Sequence, residues 1–135
     1  MDMSDAMLEE FDKNAAASGD VVEHFASTFG FNPPPGYLEF MRLSNGGEGF
    51  VGTRYLTLWP LEQLREHNEG YEVKRYAPGL FLFGSNGGGE AYAFDLRQAE
   101  PSIVSVPLVG MALKEVRPSG ATFDGFLAWL ATSQR

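Results

Sequence analysis

Three stretches of this chain have the residue types that chemistry needs. Gly47-Glu48-Gly49-Phe50-Val51-Gly52 has the G-x-G-x-x-G spacing of a nucleotide-binding loop. That motif works only where a strand leads in and a helix leads out, because the helix N-terminus holds the phosphates. Here a helical pattern precedes the glycines and a strand pattern follows, so the match is a coincidence of letters. Gly84-Ser85-Asn86-Gly87-Gly88-Gly89-Glu90 is a second glycine loop, but no Lys-Ser or Lys-Thr follows it to meet a phosphate. The only histidines are His24 and His67. His67 sits in Glu66-His67-Asn68-Glu69, with no second histidine one helical turn away to complete a metal site, and both read as surface histidines. There are no cysteines, which removes thiolate nucleophiles, disulfides and Cys-based zinc sites. No nucleophile-elbow motif is present, and eighteen acids make chance carboxylate pairs inevitable. No catalytic residue, metal ligand or cofactor-binding residue is assigned.

The elements that would position these residues follow from periodicity. Met7, Leu8, Phe11 and Ala15 fall near one helical face and predict a helix from Ser4 to about Ala17, making residues 1–19 an acidic helical extension of a single domain over 1–135. Asp20 is placed to cap a second helix with the stripe Val21, Val22, Phe25, Ala26 and Phe29. After Pro33-Pro34-Pro35, a third helix carries Tyr37, Leu38, Phe40, Met41 and Leu43 and stops at Asn45-Gly46-Gly47. Strands are predicted at Phe50-Val51, Tyr55–Leu58, Leu80–Phe83, Ala91–Phe94, Ile103–Val106 and Leu113–Val116. Pro60 opens a short helix through His67, and Glu69–Pro78 reads as irregular. Gly84 and the run Gly87, Gly88, Gly89 make the turn between two of the strands. Asp95 caps the turn that follows the second of them. Thr122 caps a closing helix with Phe123, Phe126, Leu127 and Leu130 at i, i+3, i+4 and i+7. Trp59 and Trp129 read as core. The order predicts an α+β domain: an antiparallel meander sheet with N-terminal helices and a closing C-terminal helix packed on it.

The chain is long enough for one core, with 135 residues, 44% of them hydrophobic and eleven of them phenylalanine. Its net charge is −8. Residues 1–23 carry seven acids against one base, Lys13, and the remainder is nearly balanced with eleven acids and nine bases. That balance repels phosphate backbones and argues against direct nucleic-acid binding, while it favours a basic protein partner. Asp5, Glu9 and Asp12 share one face of the predicted first helix and form a candidate partner-binding patch. Ser85, Asn86 and Glu90 form a second candidate, at the tip of the glycine hairpin. No apolar run reaches the roughly 20 residues of a membrane span, and no signal peptide is visible, so a cytoplasmic protein is expected.

Several of these segments together resemble the SUKH superfamily, also called the Smi/Knr type. They are Tyr37-Leu38-Glu39-Phe40 before Asn45-Gly46-Gly47, Trp59-Pro60-Leu61-Glu62-Gln63-Leu64, Phe83–Glu90 with Tyr92-Ala93-Phe94-Asp95, and Thr122–Leu127. The resemblance runs from about Asp20 to Leu130. It implies a single α+β domain without enzymatic activity. It further implies an immunity protein that binds and neutralises a bacterial toxin. A regulatory or scaffold module with a housekeeping partner is the second reading, and a small-molecule binder or enzyme the third. Two positions depart from the family pattern. Pro33-Pro34-Pro35-Gly36 stands where a Leu-Pro pair is usual, and Asn86 stands where an acid is frequent.

Overall fold

The computed structural model describes residues 8–132. Seven strands form one antiparallel sheet in chain order: β1 (Phe11–Lys13), β2 (Gly47–Val51), β3 (Arg54–Leu58), β4 (Leu80–Ser85), β5 (Glu90–Asp95), β6 (Ser102–Pro107) and β7 (Arg117–Gly120). The helices are α1 (Gly19–Thr28), α2 (Tyr37–Leu43), α3 (Leu64–Gly70), α4 (Val73–Tyr76) and α5 (Phe123–Thr132). The expected α+β meander is the fold observed.

Cross-strand register decides which side chains share a face. Phe81, Phe94 and Ile103 form one row across β4, β5 and β6. Leu58, Gly84, Tyr92 and Ser105 form the next, from β3 to β6. This face receives α1, α2 and α5. Phe25 of α1 lies 6.4 Å from Phe81, Tyr37 of α2 lies 4.9 Å from Phe94, and Phe126 of α5 lies 5.0 Å from Tyr92. Most of these ring pairs are tilted or edge-to-face, the arrangement that the ring quadrupole favours. Burial pushes the Tyr37 phenol above its ordinary range, and its hydroxyl has no hydrogen-bond partner.

The helix predicted over the N-terminal residues is not found where the chain is described. Residues 8–10 turn, with the Phe11 amide donating to the Leu8 carbonyl at 3.1 Å, and β1 follows. The i, i+3 spacing of Leu8 and Phe11 is therefore a turn spacing. Both side chains are buried, and Phe11 packs against Phe40 of α2. The cap of α1 is Ser18, whose Oγ accepts from the Val21 amide, and not Asp20, which lies in the first turn. The strand expected at Leu113–Val116 is a single tight turn at Leu113–Glu115, and the strand is β7 just beyond it. β7 contains Pro118, a residue tolerated because this is an edge strand. Part of the stretch expected to be irregular, Glu69–Pro78, is helical: α3 runs to Gly70 and α4 covers Val73–Tyr76.

β3 and β4 pair only at Thr57–Ser85 and Leu58–Gly84, and the chain then leaves the sheet to form α3 and α4. This would strand the outer edge of β4. Asn68 of α3 supplies the missing partner. Its Oδ1 accepts from the Leu82 amide at 2.8 Å, and its Nδ2 donates to the Leu82 carbonyl at 3.0 Å. One carboxamide thus replaces one residue of a neighbouring strand.

A candidate partner-binding face

The opposite face of the sheet is covered differently at its two ends. Towards β5 and β6 it buries Ala91, Ala93, Val104 and Val106. Towards β1–β3 it is open. Here β2 and β3 alternate strictly: Gly47, Gly49, Val51, Arg54, Leu56 and Leu58 turn inward, and Glu48, Phe50, Tyr55 and Thr57 turn outward. Asp12 lies directly opposite Glu48, Glu48 opposite Thr57, and Thr57 opposite Ser85. Phe50 is opposite Tyr55, with ring centroids 5.2 Å apart in an edge-to-face pair, and Phe50 is 48% exposed.

The face therefore joins two carboxylates to two aromatic rings. Asp12 and Glu48 are like charges in directly opposed positions, an arrangement that costs stability unless something positive covers it. Neither carboxylate has an ion-pair partner among the described residues. Lys13 cannot serve, because its register partner is the inward-facing Gly47. The Tyr55 phenol is held above its ordinary range, first by partial desolvation, then by the charge of Glu48 and a hydrogen bond to it, and last by Asp12.

Gly47 and Gly49 explain how β1 comes to lie here. Their φ values are +146° and +153°, and the backbone of β1 crosses directly over them. A Cβ on Gly49 would meet the Glu10 carbonyl oxygen and come within 2.8 Å of the Phe11 Cα. One on Gly47 would meet the Asp12 carbonyl oxygen and come within 2.8 Å of the Phe11 ring. The G-x-G letters thus encode strand contact, and no helix follows them.

The candidate residues divide clearly. Asp12 and Ser85 lie in one row of this face, and the tip following Ser85 folds onto Tyr55, where a Cβ on Gly87 would lie 3.0 Å from the ring. The polar groups of the tip are used internally. Ser85 Oγ accepts from the Gly87 amide at 3.2 Å, and Asn86 Oδ1 accepts from the Gly88 and Glu90 amides at 2.8 and 3.1 Å. Ser85 and Asn86 therefore hold the hairpin in shape. Of the three consecutive glycines only Gly87 takes a positive φ, +78°, while the Gly89 carbonyl accepts from Leu108. Glu90 shares the parity of Tyr92 and turns to the helix-covered side, so it does not join this face. Glu9 is exposed in the turn before β1, and with β1 extended it shares no helical face with Asp12. Asp5 lies outside the described residues.

The other motif residues are scaffold. Asn45 Oδ1 accepts from the Leu61 amide at 2.9 Å and its Nδ2 donates to Glu62 at 2.8 Å, tying the end of α2 to the turn before α3. Gly46 packs against the Leu58 backbone, and Gly84 against the Thr57 carbonyl. Asp95 caps its turn by accepting from the Arg97 amide, and its carboxylate takes two further bonds from the Arg97 guanidinium at 2.9 and 2.8 Å. Those bonds hold the Asp95 carboxyl below its ordinary range.

Among the described residues, no group of three or more His, Asp or Glu side chains could hold a metal ion. His67 is half-buried instead of superficial. It stacks on Trp59 at 3.8 Å and 14°, and desolvation lowers its pKa against the opposing charge of Glu66. No helix among the described residues is long and apolar enough to cross a membrane.

A family profile matches residues 16–129, the description being SMI1 / KNR4 family (SUKH-1). The chain belongs to the SMI1 / KNR4 family (SUKH-1). No curated protein matches it. The matched range covers β2–β7, α1–α4 and most of α5 but leaves out β1, so Asp12 belongs to an edge strand outside the SUKH-1 match.

Glu48, Phe50 and Tyr55 belong to no binding motif in the sequence. Their signal is the alternation along 47–51 and 54–58, in which each outward position is polar or aromatic and each inward one is glycine or aliphatic except Arg54, which lies over Trp129.

Proposed function

We propose that this SUKH-1 chain is a non-catalytic protein-binding module, an immunity-type protein that neutralises a basic toxin domain by direct contact in the cytoplasm. The observation that carries this reading is the outward face of β1–β3, where Asp12 and Glu48 stand side by side next to the exposed Phe50 and the half-buried Tyr55. A lysine or arginine of a partner finds both of its preferred neighbours there, a carboxylate to pair with and an aromatic ring to lie over. The overall charge of −8 adds steering towards a basic surface and speeds encounter. The reading needs no cofactor, metal or nucleophile.

Co-expression with the protein encoded by the adjacent open reading frame tests it. The module is expected to restore growth against that protein and to remain bound to it through purification at low salt, with affinity falling as salt rises. A neighbouring product that is harmless and not retained, together with a growth or envelope defect on deletion of this gene alone, would instead mark a housekeeping regulatory module.

A further inference from the structure

The helix-covered side carries a groove unrelated to the partner face. It has a volume of about 550 Å³ and lies between the end of α1, the α3–α4 insertion and the outer part of β4. That size falls within the range of small-ligand clefts. Its floor is aromatic. Phe29, Phe31 and Phe81 are all half-buried there, with mutual ring distances of 4.9, 5.3 and 6.4 Å.

Its rim is basic, against the sign of the chain. Arg65, Lys74 and Arg75 line it, with Glu69 and Glu72 as the acids. Glu72 is paired with Arg75 at 3.4 Å, while Arg65 and Lys74 make no ion pair with any described residue. The Arg65 guanidinium lies 5.0 Å above the Phe29 ring, which leaves its edge donors available beside an apolar surface.

The wall of the groove is also strained. Glu72 has φ +53°, the one non-glycine residue with positive φ among those described. It starts α4, and so sets Val73, Lys74 and Arg75 along the groove. Strain held in a surface insertion points to a function for the shape that it maintains.

From the aromatic floor, the basic rim and the strained wall, we infer that this groove binds a small amphipathic carboxylate, its apolar body on Phe29, Phe31 and Phe81 and its acid group on Arg65 and Lys74.

The test is titration of the full chain with decanoate, below its micelle concentration, followed by amide NMR shifts. Saturable shifts are expected at Phe31, Arg65, Val73 and Phe81. Decyltrimethylammonium, with the same chain length and the opposite charge, is expected to leave those amides unmoved. The double substitution R65Q/K74Q alters exposed side chains, so the fold is expected to persist by circular dichroism while decanoate affinity drops about tenfold. Absence of saturable shifts, equal response to the cationic amphiphile, or unchanged affinity in the double variant would each overturn the assignment. None of these outcomes bears on the partner face.

Discussion

Gly49→Ala is the substitution whose cost can be followed step by step. A methyl group at position 49 has no space, because the Glu10 carbonyl and the Phe11 Cα occupy its site, and φ +153° is unfavourable for any L side chain. β2 is held on its other side by five register pairs with β3, so the strand that yields is the three-residue β1. When β1 lifts, Leu8 and Phe11, now 5% and 6% exposed, lose their cover. Full exposure of two such side chains costs about 1.5–3 kcal/mol each, an upper bound because the unfolded chain is itself compact. Partial withdrawal of β1 is expected to leave a loss of about 2–4 kcal/mol. Urea denaturation followed by tryptophan fluorescence measures this, and hydrogen exchange at residues 11–13 shows whether β1 has detached. Gly89→Ala is the control, since nothing lies within 4 Å of a Cβ there and its φ is not positive. It is expected to change stability by less than about 0.5 kcal/mol. If the Gly49 variant matched the Gly89 variant, with the amides of β1 still protected, the close-crossing explanation of the G-x-G letters would be wrong.

Further consequences are open to measurement. Tyr37→Phe removes a buried hydroxyl that has no hydrogen-bond partner, so the urea midpoint is expected to rise, by about 1 kcal/mol of stability. Loss of a similar amount would mean that the hydroxyl is bonded after all. Asn68→Ala leaves both the amide and the carbonyl of Leu82 without their side-chain partner, and is expected to cost about 2 kcal/mol and to speed exchange at Leu82. Asp95 has its pKa depressed in the folded state by Arg97. Its contribution is therefore fully present above the ordinary carboxylate range and is lost as pH falls through the lower folded value. Asp95→Asn is expected to flatten that acid limb of the stability curve, and a limb of unchanged slope would remove Asp95 as its source.

Much of the scaffold is written locally. Strand alternation, the Thr122 cap with its i, i+3, i+4, i+7 stripe, and the Asp95 turn each depend on neighbours within a few residues, and each is visible in the letters. Expectation and structure differ where a local pattern serves two geometries. Leu8 and Phe11 are spaced for a helix, but the same spacing fits a turn once Gly47 and Gly49 offer β1 an edge to pair with. Pro118 hides β7 because proline normally argues against a strand, and only the position of β7 at the sheet edge lifts that objection. The partner face is legible in part. The alternation of β2 and β3 shows Glu48, Phe50, Tyr55 and Thr57 to be outward. That Asp12 stands beside Glu48, and that Glu90 does not, depends on register between strands distant in sequence. Asn68 carries no motif at all, since its role exists only because β3 leaves β4 early.

The most direct test of the partner face is calorimetric affinity for the adjacent-gene protein with Asp12→Lys and Glu48→Lys combined, beside Gly89→Ala as a control. Charge reversal on this face is expected to weaken binding at least about tenfold and to reduce its dependence on salt, with the fold and the urea midpoint retained. Binding of that protein at unchanged affinity and unchanged salt dependence would place its contact elsewhere and contradict the account.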